Sequence, residues 1–225
     1  MYRSVRVLFI LSVFIAGLFP KIIHAQIDDI GVWLGVALQK QLTRQLEGSV
    51  GEQLRLNHDV TTINQLLTDV GLAYSFSKKL KVGVNYRFIN SNQDNYYSKR
   101  HRFYMDLSYK EKFGLVTFTL RERIQSQFSD YYSSENGKIP VWTLRSKLTS
   151  KFDIEKKYSP YLSGEIYYLI DNAKEIEGYT RYRIETGIDY EFNRIHSINP
   201  FILYQHIISP PFDELIYGVT YTYNF

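Results

Sequence analysis

Apolar and polar residues alternate along most of this chain with a period of two, the spacing that puts successive side chains on opposite faces of a strand. The last nine residues show it most clearly: Tyr217, Val219, Tyr221, Tyr223 and Phe225 share one face, and Gly218, Thr220, Thr222 and Asn224 share the other. Leu80, Val82, Val84, Tyr86 and Phe88 oppose Lys81, Gly83, Asn85 and Arg87 in the same way. Phe103, Met105, Leu107 and Tyr109 oppose Arg102, Tyr104, Asp106 and Ser108. Between 180 and 192, Arg181, Arg183, Glu185, Asp189 and Glu191 oppose Tyr182, Ile184, Ile188 and Tyr190. One face there must be wet, and the other must meet lipid or a core.

Strands read this way fall near 32–42, 45–57, 65–76, 79–90, 98–110, 113–127, 141–152, 159–170, 179–192, 200–208 and 214–225. They predict an all-β fold, a transmembrane antiparallel up-and-down β-barrel of 10–12 strands. Single-chain bacterial barrels have even strand numbers. The pattern therefore suits either a ten-stranded ring with Val32 to Leu42 as an extra element, or a twelve-stranded wall with one strand unread. Residues 36–57 also admit an amphipathic helix, because Leu38, Leu42, Leu46, Val50 and Leu54 are four apart. Gly48 and Gly51 weaken that helix, and the alternation of Glu47, Ser49, Gln53 and Arg55 with leucines favours a strand.

The connections sort into two kinds. Tight ones follow an aromatic: Phe76 to Leu80, Tyr109 to Phe113, Phe152 to Tyr158, Phe192 to Ser197, with Phe225 closing the series. Longer ones, rich in Asn, Asp, Ser, Gly and Tyr, are expected at Asn57 to Ile63, Asn90 to Lys99, Ser129 to Ile139, Asp171 to Gly178 and Ser209 to Asp213. Short periplasmic turns and longer extracellular loops are the asymmetry of bacterial outer-membrane barrels. Aromatics at the ends of descending strands would form the inner interfacial girdle. Tyr96, Tyr97, Tyr131, Tyr132, Tyr167, Tyr168 and Trp142 would supply part of the outer one.

The N-terminus sets the compartment. Arg3 and Arg6 precede an uncharged apolar run from Val7 to Phe19, and Ile23-His24-Ala25 ends on a small residue, so 1–25 reads as a cleaved signal peptide. Residues 26–225 are then a single outer-membrane barrel domain. Cleavage removes three of the 27 basic residues and none of the 23 acids, which lowers the formal charge from +4 to +1. A nearly neutral exported chain without basic blocks is not a nucleic-acid binder. There is no Cys for a disulfide or a lipid anchor. No phosphate loop, dinucleotide fingerprint or metal-ligand spacing occurs, so no cofactor and no metal is expected. The remaining fold alternative is a soluble periplasmic β-barrel, which 34 Tyr and Phe residues, many of them at predicted strand ends, disfavour.

With the signal peptide and the terminal Phe, the segments Arg100-His101-Arg102-Phe103-Tyr104-Met105-Asp106 and Phe118-Thr119-Leu120-Arg121-Glu122-Arg123 resemble a family of small Gram-negative outer-membrane β-barrels catalogued as a domain of unknown function. The similarity spans nearly the whole mature chain. It implies the barrel fold and brings no catalytic residues with it. The terminal strand, Tyr217, Val219, Tyr221, Tyr223 and Phe225, is similar to the insertion signal of such barrels. This implies periplasmic chaperones and the barrel-assembly machinery as partners during insertion, and outer-membrane lipids afterwards.

If the apolar faces meet lipid, the polar faces line the lumen with charges of both signs. Arg87, Arg102, Asp106, Arg121, Arg123, Arg145, Arg181, Arg183 and Glu185 form the expected ladder, with Glu47, Arg55, Asp69, Lys81, Lys147, Glu165, Asp189 and Glu191 beside it. Paired across a narrow lumen, these charges would brace the wall. Left unpaired, the arginines would make a narrow, porin-like channel selective for small anionic solutes. No catalysis is expected. The one enzyme alternative is an outer-leaflet lipid acyl hydrolase built from Ser209, His206 and Asp213 or Glu214 across the last loop.

Overall fold

The computed structural model of the protein describes residues 27–93, 96–129, 140–155, 157–171 and 177–225. The expected signal peptide, 1–25, and Tyr131 and Tyr132 lie outside them. Each of the eleven alternating segments is a strand: β1 (Asp29–Gln41), β2 (Leu46–Asn57), β3 (Thr62–Ser75), β4 (Leu80–Asn92), β5 (Tyr97–Phe113), β6 (Val116–Ser129), β7 (Val141–Phe152), β8 (Tyr158–Asp171), β9 (Gly178–Glu191), β10 (His196–Ile208) and β11 (Pro211–Asn224). Residues 36–57, which also admitted a helix, fall in β1, β2 and the turn between them. Among the described residues no helix is long and apolar enough to cross a membrane, which says nothing of crossing by strands.

Each strand pairs with its neighbours in sequence, and the ring closes through β1 and β11. Eleven alternating strands leave the first and last pointing the same way, so this closure has to be parallel. It runs from Asp29 opposite Glu214 to Gln39 opposite Asn224. Neither arrangement drawn from the pattern is correct: β1 is not an accessory to a ten-stranded ring, and no twelfth strand is required. Along its other edge β1 pairs antiparallel with β2 from Val32 opposite Leu56 onward, so it is part of the wall on both sides.

The barrel is inverted relative to a water-soluble domain. Leu34, Val36, Val70, Leu107, Leu148 and Ile184 point outward and keep more than a third of their surface. Arg123, Gln125, Arg145, Glu165 and Gln205 are buried inside. An apolar belt around a charged interior is the arrangement of a membrane-spanning barrel. Strands of 12 to 17 residues exceed the ~9–11 needed to cross a bilayer at a tilt.

One rim carries the connections 42–45, 76–79, 114–115, 153–157 and 192–195, and the other carries 58–61, 93–96, 130–140, 172–177 and 209–210. Three of the expected long loops are therefore short, because β3, β4, β5 and β11 extend beyond their apolar stretches. The turn 58–61 is tight enough to force positive φ at His58, Asp59 and Val60, of 50°, 52° and 68°. The Asp29 carboxylate accepts hydrogen bonds from the backbone N–H of His58 and of Asp59, at 3.0 and 2.9 Å, and holds that turn against β1.

The terminal strand lies as its alternation requires. Tyr217 is 46% exposed on the outer face, while Ile216 is fully buried inside. Tyr223 and Phe225 meet edge to face at 4.7 Å on the short-turn rim, and the Phe225 N–H donates to the Gln39 carbonyl across the parallel seam at 2.8 Å. Inside, the Phe201 ring covers Gly218, where a Cβ would fall 2.0 Å from its Cζ. Phe201 in turn packs on the cluster of Trp33, Leu203 and Ile216.

Candidate functional site

The inward side chains change in size along the lumen. Toward the short-turn rim several inward positions are small, at Gly35, Ser49, Gly51, Gly71, Ala73 and Gly83, and neighbouring side chains fill the space beside some of them: Thr220 closes on Gly35 and Asn85 on Gly71. Midway the inward side chains become long and basic and enclose a cavity of about 600 Å³. Its wall includes Arg55, Arg87, Arg100, Arg102, Arg121, Arg123, Arg145, Lys147, Arg181 and Arg183, against Glu165 and Glu185. A second space of about 450 Å³ opens toward the other rim, where Asp28, Asp29, Asp59 and Glu214 line it. Trp33, Arg55, Arg181 and Arg183 border both cavities.

Register divides these arginines into two groups. In the first, a carboxylate neutralises the guanidinium. Asp69 lies opposite Arg87 on the neighbouring strand and takes its Nε–H at 2.8 Å. Asp106 lies opposite Arg123 and accepts two parallel bonds, at 2.6 and 2.7 Å. Glu165 accepts from Arg145 at 2.9 and 3.0 Å and from Arg121 as well, with Arg183 4.0 Å away. Lys147 pairs with Glu185, and near the short-turn rim Lys81 pairs with Glu47 and Lys151 with Asp189.

In the second group the acceptor is a neutral amide. Gln127, opposite Arg102 in register, takes the Arg102 Nε–H at 2.9 Å. Gln53 takes the Arg55 Nε–H at 2.8 Å. Gln205 accepts from Arg183 at 2.8 Å and from Arg181 at 3.3 Å. A glutamine oxygen fixes the direction of a guanidinium and leaves its charge uncompensated. Among the described residues Arg55, Arg102 and Arg181 form no ion pair, and the buried Nε of Arg121 has no hydrogen-bond acceptor.

Aromatic faces fix the guanidinium planes further. Arg55 lies 3.8 Å over Trp33, Arg123 3.9 Å over Tyr104, and Arg145 4.4 Å over Tyr167. Such stacking suits arginine, whose planar cation keeps its N–H edge free. The pattern alone assigned Tyr167 to the outer girdle. It faces inward and is buried, and its neighbour Tyr168 faces out, with a register shift between the two where β8 meets β9. The roles of Arg100, Trp33 and the glutamines were also not evident from the pattern. The only available signal was their position on the polar parity of their strands.

The enzyme alternative is only partly assembled. His206 Nδ1 lies 2.7 Å from Asp213 Oδ1, Tyr204 donates its hydroxyl to the same oxygen at 2.6 Å, and the His206 ring stacks on Tyr182 at 4.8 Å. These side chains are on the outer face, since Gln205 and Leu203 on the alternate positions are buried inside. Ser209 sits in the two-residue turn after β10 and makes no hydrogen bond to His206 among the described residues. No group of His, Asp or Glu among the described residues is arranged to hold a metal ion.

A family model described as "Protein of unknown function (DUF2490)" matches residues 30–215. No curated protein matches the chain. Among solved structures, the outer-membrane expressed OmpT of Vibrio cholerae is similar, with 9% identity over 72% of this chain and 54% of that one and a TM-score of 0.41. The chain thus spans about half the length of that structure.

Proposed function

The chain belongs to the DUF2490 family of proteins of unknown function, and from that starting point we propose that it is an integral outer-membrane barrel whose lumen selects small anions and passes them as a narrow channel. The observation that carries this reading is the second group of arginines. A barrel that needed charge only to brace its wall would be best served by carboxylates throughout, because an unpaired buried charge is costly. Arg55, Arg102 and Arg181 instead rest on glutamines and face the cavity, a ring of positive potential available to a passing anion. The apolar belt supports the membrane placement, since in water it would be an exposed patch far beyond what a soluble monomer carries. Export by a cleaved signal at 1–25, and insertion by assembly machinery that reads the terminal strand, complete the reading.

Reversal potentials in a planar bilayer under a potassium chloride gradient test it. The native barrel should show anion-favouring current, and Arg102→Gln with Arg181→Gln should move the potential toward zero. Cation preference, or silence from protein shown to be inserted, would overturn the channel reading.

The His206–Asp213 pair favours the lipid-hydrolase reading as a second one, since the acid would orient the imidazole as a base facing the outer leaflet. That reading lacks a nucleophile in contact with the base.

A further inference from the structure

The arginines that rest on glutamines and form no ion pair come from three parts of the wall: Arg55 from β2, Arg102 from β5 and Arg181 from β9. In the ring order these strands are three, four and four steps apart, so guanidinium groups without an ion pair face the cavity from directions spaced nearly evenly around it. A monovalent ion could satisfy one wall at a time. An arrangement with a donor fork on each wall matches a body that carries several acceptor oxygens around its own surface.

The geometry points to a binding site in this chamber for a compact oxyanion bearing two or more phosphate or carboxylate groups, which would touch all three walls together. The inference rests on the anion-selective lumen proposed above and adds to it an equilibrium binding site and a ligand class. The stacking of Arg55 on Trp33 holds one donor plane before a ligand arrives. The volume of about 600 Å³ suits a small polyanion and excludes a polymer. Acids line the space toward the rim opposite the short turns, so a polyanion approaching from that side meets like charge.

Trp33 also makes the site measurable. The chain has two tryptophans, and Trp142 lies on the outer face. In a Trp142→Phe protein, refolded into neutral vesicles, all tryptophan emission comes from Trp33 beneath Arg55. Titration with pyrophosphate and, separately, with citrate at constant ionic strength should give a saturable change in that emission. Acetate and chloride should require concentrations at least about tenfold higher, if they act at all. A response to pyrophosphate alone would assign the ligand to phosphate chemistry, and a response to citrate alone to carboxylate chemistry.

Arg102→Gln with Arg181→Gln should abolish the saturable change. Arg102→Lys with Arg181→Lys, which keeps the charge but loses the fork, should weaken it about tenfold. An anomalous gel mobility before heating verifies that each variant is folded. Equal responses to chloride and pyrophosphate at matched ionic strength would mean screening only and would sink the site. So would no saturable response in folded protein. Either result combined with anion-selective conductance would leave the channel standing without a binding site. Saturable binding in a barrel that carries no current would remove the channel and keep the site.

Discussion

Asp106→Leu should destabilise the barrel by about 3 kcal/mol, and the reason lies in what it leaves behind. Arg123 is 8% exposed, donates two parallel bonds to Asp106 and stacks on Tyr104. Breaking a buried pair by removing one partner costs roughly 3–5 kcal/mol, because the other charge stays desolvated. The lower end applies here, since Arg123 borders a polar cavity through which water can reach the freed guanidinium. Asp106→Leu with Arg123→Leu removes both charges and should cost less than the single change, giving a coupling of at least about 2 kcal/mol. Arg102→Gln should behave oppositely. Arg87, Arg123 and Arg145 are its electrostatic neighbours, so losing its charge relieves repulsion and should leave stability unchanged or raise it by about 0.5–1 kcal/mol. Urea unfolding of the refolded barrel in vesicles, followed by tryptophan emission, measures the native protein, these three variants and Arg123→Leu, which completes the cycle. A cost under about 1 kcal/mol for Asp106→Leu, or a coupling near zero, would refute the division of the lumen into bracing and available arginines.

Two further outcomes follow from local geometry. Gly218→Val places a side chain where the Phe201 ring lies and should lower stability by about 1–3 kcal/mol through overpacking, with Phe201→Leu in the same protein restoring part of the loss in urea midpoint. On the short-turn rim, the hydrogen bond from Lys112 holds the Asp153 carboxyl below its ordinary value of 3.8; slight burial opposes this and Thr117 adds to it. A carboxyl depressed on folding contributes stability that is fully present above the unfolded value and is lost as pH falls through the folded one. The urea midpoint should therefore drop below about pH 4, and Asp153→Asn should flatten that limb by less than about 1 kcal/mol, the site being exposed. An unchanged acid limb in the variant would show that the pair contributes nothing.

The strands were legible because a period-two pattern is a property of each segment alone. Between Thr180 and Glu191 the charges mark the inner face without help from any other strand. The closure was not legible, because alternation reports which face a residue occupies and not which strand lies beside it. β1 has the same pattern whether it ends a ring or joins β11. Tyr167 shares the parity of Tyr161, Ser163 and Glu165, which turns it inward, whereas a double tyrosine near a strand end reads equally well as part of an interfacial girdle. The glutamines were hidden for a related reason. Gln127 is an ordinary polar residue until pairing places it opposite Arg102, and Gln205 until pairing places it opposite Arg183. The charge ladder could be read from the sequence, but its sorting into neutralised and available members depends on cross-strand register.

Before β1 meets β11 the chain is a curled sheet with two raw edges, each a row of unpaired backbone groups. Every other seam joins neighbours in sequence, but this one joins Asp28 to Asp213 across a separation of 185 residues, so its closure carries the largest loop entropy and should come last. Trp33 and Ile216 belong to the two strands that meet there, and Arg55 stacks on Trp33. No hairpin excised from this protein holds the arginines of β2, β5 and β9 around one point. The chamber is a topological product that does not exist until the ring is shut, so any agent that unzips the parallel seam dismantles the lumen while leaving the ten antiparallel ladders intact.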